Sequence, residues 1–141
     1  MYSTLLIIHS LVRWLILASF IYAVGRAYYG WFTRQPFNKL DNKTLLITAL
    51  LAHLQLVIGV WLYFISPIVD FFLHNFKEAV HIKEFRFFGM EHGLIMIIAI
   101  TLITIGSSIA KRKKADLDKF KTIAIWYSLG LVIMLVGLPF R

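Results

Sequence analysis

This sequence predicts an all-α integral membrane protein, a four-helix bundle running up-down-up-down, and three observations carry that prediction. Of its 141 residues, 60% are hydrophobic and 16% charged, against about 45–50% and about 25% in ordinary soluble domains. Four apolar segments approach the ~20 residues that a ~30 Å hydrocarbon core requires. The polar stretches between them are short, as an up-down bundle needs. A single domain spanning residues 1–141 accommodates all four.

The first span, residues 4–24, lacks the basic start of a signal peptide, and His9 and Arg13 interrupt its apolar run. It is therefore expected to stay in the mature protein. A turn around Gln35, Pro36, Phe37 and Asn38 follows, and Asp41 or Asn42 is expected to N-cap the helix of the second span, residues 45–66. The connection of residues 67–87 interleaves Ile68, Val69, Phe71, Phe72, Phe76 and Val80 with Asp70, His74, Asn75, Lys77 and Glu78. That alternation predicts an amphipathic helix, approximately 68–80, lying at the outer interface, with His74 and His81 as solvated groups. The third span, residues 88–110, carries Gly106, Ser107 and Ser108 near its end, small enough for close helix contact. The fourth span covers residues 123–139.

The net charge of +8 is unevenly placed. Arg26, Arg34, Lys39 and Lys43 occupy the first connection, and Lys111, Arg112, Lys113, Lys114, Lys119 and Lys121 the third. The second connection has only Lys77, Lys83 and Arg86, offset by Asp70, Glu78 and Glu84, and the C-terminus adds Arg141. Ten basic residues thus lie on one side and four on the other. By the positive-inside rule the first and third connections are cytoplasmic and both termini outside. In a bacterial cell this describes a multi-pass inner-membrane protein with periplasmic termini. The charge is a topology signal, not a nucleic-acid patch, and residues 111–114 can also rest on anionic headgroups.

The chain has no cysteine, which excludes disulfides, cysteine-ligated iron–sulfur clusters and the thioether attachment of a c-type haem. Walker A, dinucleotide-binding, H-E-x-x-H and nucleophile-elbow motifs are also absent from the sequence.

What remains to carry chemistry is three histidines, His9, His53 and His92, on three different spans. Polar rings at membrane depth are costly and tend to face a bundle interior, so they read as functional. With ~1.5 Å of rise per residue, His9 lies ~8 Å to the outer side of its span's midpoint and His92 ~10 Å to the same side. His53, on a span running the other way, falls ~4 Å to the inner side. His9 and His92 therefore share a layer on two helices expected to stand diagonally, an arrangement able to hold a flat macrocycle between two imidazoles. His53 is an alternative ligand only if the second helix is shifted. Hydrogen bonding between helices is the competing role for each ring.

Arg13 is one turn below His9 on the same face. A guanidinium at that depth needs an anionic partner: a haem propionate, Glu91 or a quinone-like headgroup. Arg86, at the outer mouth of the third span, can clamp a propionate or simply anchor the helix. Glu91 can orient a neighbouring imidazole or transfer a proton. Gln55 and Tyr63 suit helix-to-helix hydrogen bonds, and Gly59, Gly130 and Gly137 allow close packing or the approach of a flat ring. Trp14, Trp31, Trp61 and Trp126 read as interface or packing residues.

His9-Ser10 with Arg13-Trp14, then His53-Leu54-Gln55, Gly59, Leu62-Tyr63, Ser66-Pro67, Arg86-Phe87, Glu91-His92 and Gly137-Leu138-Pro139 resemble the pattern of small four-span bacterial membrane proteins labelled cytochrome b, common in Bacteroidota. The likeness runs over nearly the whole chain. A weaker one links it to one half of haem A synthase, whose four-helix units hold haem between intramembrane histidines. The resemblance implies non-covalent haem b binding, with no particular reaction.

Three functions fit these residues. The first is a haem-bearing electron-transfer protein or small subunit of a respiratory assembly, with His9 and His92 as ligands and a quinol or partner subunits exchanging electrons. The second is a copper, zinc or proton pathway stepping through His9, His53, His92 and Glu91, which would require a homo-oligomer for alternating access. The third is a structural subunit without cofactor. An electron carrier or subunit is expected in preference to a stand-alone enzyme, with the lipid bilayer as its first partner and no nucleic acid.

Overall fold

The computed structural model describes residues 1–138. Pro139, Phe140 and Arg141 lie outside the described residues, and with them the end of the fourth expected span, the last residue of the closing motif and one basic charge. Seven α-helices follow in order: α1 (Tyr2–Thr33), α2 (Lys39–Ile65), α3 (Pro67–His74), α4 (Phe76–Ala79), α5 (Lys83–Arg86), α6 (His92–Arg112) and α7 (Asp116–Val136). A π-helical stretch, Phe87–Glu91, splices α5 to α6, giving one continuous helix from Lys83 to Arg112. This helix, α1, α2 and α7 are the four long and apolar enough to cross a membrane. The architecture is the all-α four-helix bundle that hydropathy predicts.

α1 packs on α2 and α7, and α6 packs on α7 and α2, so α1 and α6 stand on a diagonal. The centre is filled by Phe20, Ile103, Phe120 and Tyr127, all essentially inaccessible. Leu11, Leu50, Val57, Val132 and Val136 point outward, as residues facing acyl chains do. Small residues set the helix spacing. A Cβ on Gly30 would stand 2.7 Å from the Phe120 ring, and one on Gly130 2.6 Å from Ile103. Gly106 lies directly against Trp126. Dispersion between closely approaching helices, rather than water exclusion, holds such a bundle in lipid.

At the end remote from the termini, α1 stops at Arg34, which turns left-handed at φ 55° while its N–H bonds to the Gly30 carbonyl. Asn38, and not Asp41 or Asn42, is the N-cap of α2. Its side chain accepts from the Asp41 N–H at 2.9 Å, and the Asp41 carboxylate accepts from the Asn38 N–H at 3.1 Å. This reciprocal capping box starts the helix one turn earlier than expected, so Asp41 is a third-position partner. The buried Asp41 carboxylate also accepts from Arg26 Nε at 2.8 Å and Nη2 at 3.1 Å, tying α1 to α2.

At the end carrying the termini, the amphipathic segment is α3, capped by Ser66 with Pro67 in its first turn, and it breaks at Asn75 before α4. Val69 and Phe72 are buried, and Phe72 fills the space beside Gly89 in the π stretch. His74 and His81 are exposed. α3 and α5 pack against the π stretch and cover this end of the bundle.

Candidate functional site

Beneath that cover the bundle is hollow. A cavity of about 890 Å³ is lined from α1 by His9, Ser10 and Arg13, from α2 by Gln55, Gly59 and Tyr63, and from α6 by His92 and Gly93. This volume lies near the top of the ~300–1,000 Å³ range of small-molecule and cofactor sites.

The diagonal pairing of α1 and α6 brings His9 and His92 together, with ring centres 6.4 Å apart and ring planes at 77°. His92 is held by its Nδ1, which donates to the Gly137 carbonyl at 2.7 Å. A carbonyl only accepts, so the proton of the neutral ring sits on Nδ1 and the lone pair on Nε2. That leaves Nε2 available to ligate a metal, with the ring oriented by an outer partner. The partner is a backbone oxygen on the turn after α7, not the Glu91 carboxylate.

Gln55 holds the α1 backbone and not the imidazole, donating from its amide nitrogen to the His9 main-chain carbonyl at 2.8 Å. Among the described residues, the buried side-chain polar atoms without a hydrogen-bond partner are His9 Nδ1, Gln55 Oε1 and Arg13 Nε. All three residues line this one cavity. Buried polar groups are paired in the great majority of cases, so these three atoms, on α1 and α2 around one cavity, call for a partner such as water or a bound molecule. The Arg13 guanidinium leans on the Trp14 ring at 5.1 Å, and among the described residues no carboxylate reaches it.

Glycines flatten the wall. A Cβ on Gly59 would stand 3.5 Å from the His9 ring, and one on Gly93 would meet nothing within 4 Å. Gly130 and Gly137 instead pack on Ile103 and Ile95.

The other sequence candidates lie elsewhere. His53 is on the outside of α2: its Nδ1 donates to the Ala49 carbonyl at 2.6 Å and its Nε2 meets the Thr104 hydroxyl at 3.1 Å. Both nitrogens are engaged, and the ring does not line the cavity. Arg86 and Glu91 pair with each other, Nε to Oε1 at 2.6 Å, and Arg86 also donates to the Val80 carbonyl at 3.3 Å. Of the partners open to Arg13, Glu91 is thus taken by Arg86. A spacing of five places two α-helical residues ~140° apart, but the i→i+5 turn of a π-helix brings them together. Tyr63 donates to the Gly89 carbonyl at 2.8 Å, joining α2 to the π stretch. Gly93 and the Gly137 carbonyl escape sequence reading, because an acceptor on the main chain has no residue signature.

The donor set can be tested against a metal. A metal between two imidazoles, ~2.0 Å from each nitrogen with each ring centre ~1.1 Å further, places the ring centres ~6 Å apart. The observed 6.4 Å matches that distance and equally matches a direct edge-to-face contact of the two rings, which pack at about 4.5–7 Å. Among the described residues no group of three or more His, Asp or Glu side chains could enclose an ion. No model of a known protein family, no curated protein and no solved structure matches this chain.

Proposed function

We propose that this chain is a b-type haem protein of the small four-span cytochrome b kind, carrying electrons alone or as a haem-bearing subunit of a respiratory assembly. The observation that carries this reading is the His9–His92 pair on the cavity wall, at ring spacing 6.4 Å, with Nε2 of His92 freed by the bond from Nδ1 to Gly137. His9 and His92 would hold haem b without a covalent link, and the bound haem would supply one-electron redox chemistry. Gln55 fixes the backbone at His9. Arg13 offers an uncompensated positive charge to an acidic edge group, which a propionate satisfies. The α3–α5 cover and the Tyr63–Gly89 bond pack the end of the bundle above the site.

The asymmetry of basic residues supports an inner-membrane orientation with both termini periplasmic. The histidine layer then lies towards the outer leaflet, suited to exchange with a quinol or a periplasmic partner. The test is haem content per folded chain in His9→Ala, His92→Ala and His53→Ala variants. The first two lose the cofactor with helicity retained, and the third keeps it. Equal retention in all three would remove the ligand assignment.

A further inference from the structure

The cavity is open on one side. Val60 and Phe64 of α2 and Leu94 and Ile97 of α6 line it, yet all four are exposed on the outside of the bundle, Phe64 at 79%. Residues that belong both to a cavity wall and to the outer surface form its mouth. Each pair lies one turn apart on its helix, so this part of the mouth is a slot along the α2–α6 seam; it continues to the end carrying the termini, where Leu6, Glu84 and Met90 also line the cavity and are exposed. Of the four neighbouring helix pairs, this one packs least closely. The slot ends where His53 meets Thr104, the hydrogen bond that ties α2 to α6.

Both helices are apolar membrane-span candidates, and the slot lies within their apolar stretches, facing acyl chains and not water. Inside, the buried Nε of Arg13 and Oε1 of Gln55 have no partner, and a guanidinium stays charged. A guest must dissolve in the bilayer to reach the slot and carry an anionic group to compensate Arg13.

We infer that the α2–α6 seam is a lateral portal through which a membrane-dissolved amphiphilic carboxylate enters the cavity, its acidic end at Arg13. His53 then has a use without binding metal: with Thr104 it sets the lower edge of the opening. This inference rests on the cavity being a ligand site as proposed above, and haem, with its propionates, is one such amphiphile.

The test uses the full chain, expressed under haem limitation and reconstituted in phosphatidylcholine nanodiscs, then mixed with vesicles carrying haemin. Val60→Trp and Ile97→Trp narrow the slot from opposite helices, and Leu129→Trp on the outer face of α7 is the control. Both slot variants are expected to take up haemin about tenfold more slowly or worse, reaching the same final absorbance. The control is expected to match the parent. Equal rates in all four proteins would overturn the portal. If the parent takes up no haemin, the haem reading fails on its own and the portal is judged with 5-doxyl-stearate, a lipophilic carboxylate. That probe should broaden the Gly59 and Gly93 amide resonances in the parent, and less so in Val60→Trp and Arg13→Gln. No broadening in the parent would overturn the portal as well.

Discussion

Gly93→Leu separates a cavity kept open for a ligand from a simple packing defect. A Cβ at Gly93 meets nothing within 4 Å, and the residue lines the 890 Å³ cavity. A leucine side chain would occupy roughly 100 Å³ of it, and at about 24 cal/mol per Å³, the coefficient for an enclosed cavity, this stabilises the empty protein by less than about 2 kcal/mol because the cavity is open along the α2–α6 seam. Replacing a helix-interior glycine adds about 1 kcal/mol, and ordering the new side chain takes some of that back. The ligand-free chain should therefore gain about 2 kcal/mol, within the precision of those coefficients. The same side chain stands beside His92 and denies a planar guest its place. Thermal unfolding of ligand-free protein, followed by tryptophan fluorescence in detergent, should shift upward by several degrees. Haem content of the variant from haem-replete cells should fall close to zero. A destabilised empty chain with full haem content would refute the reasoning, because Gly93 would then not face open space that the ligand needs.

Three further outcomes are expected. His53→Ala removes one helix-to-helix hydrogen bond and should cost about 1 kcal/mol in detergent unfolding, with haem content unchanged. Asp41→Ala leaves Arg26 without its buried partner and breaks the capping box of α2. It should destabilise the chain by about 1–3 kcal/mol while leaving haem per folded chain intact, since it acts at the opposite end. Arg13→Leu removes an uncompensated charge from the cavity wall, so the empty chain should unfold at a higher temperature. The haem-loaded chain should unfold at a lower one, because the anionic edge group loses its counter-charge. A shift of the same sign in both states would contradict the assignment of Arg13.

The bundle was legible in the sequence because hydropathy and length are sufficient to mark four spans, and the meeting of His9 and His92 because helical rise converts residue number into depth. The start of α2 was misjudged because Asn38, Asp41 and Asn42 are all good capping types. Only the backbone shows that Asn38 and Asp41 bond reciprocally. The pairing of Glu91 with Arg86 was not legible because a π stretch between them, which turns the carboxylate onto the guanidinium, has no residue signature. The Gly137 carbonyl was invisible because every residue carries the same acceptor. His53 shares its residue type with His9 and His92, and what sets it apart is its place on the outside of α2, away from the cavity, with both ring nitrogens engaged.

The most direct test of the central claim is a reduced-minus-oxidised visible spectrum of the detergent-purified chain, with haem and metal content per chain. The account predicts a sharp b-type spectrum and one haem per chain. A colourless protein purified from haem-replete cells, with or without bound copper or zinc, would contradict it.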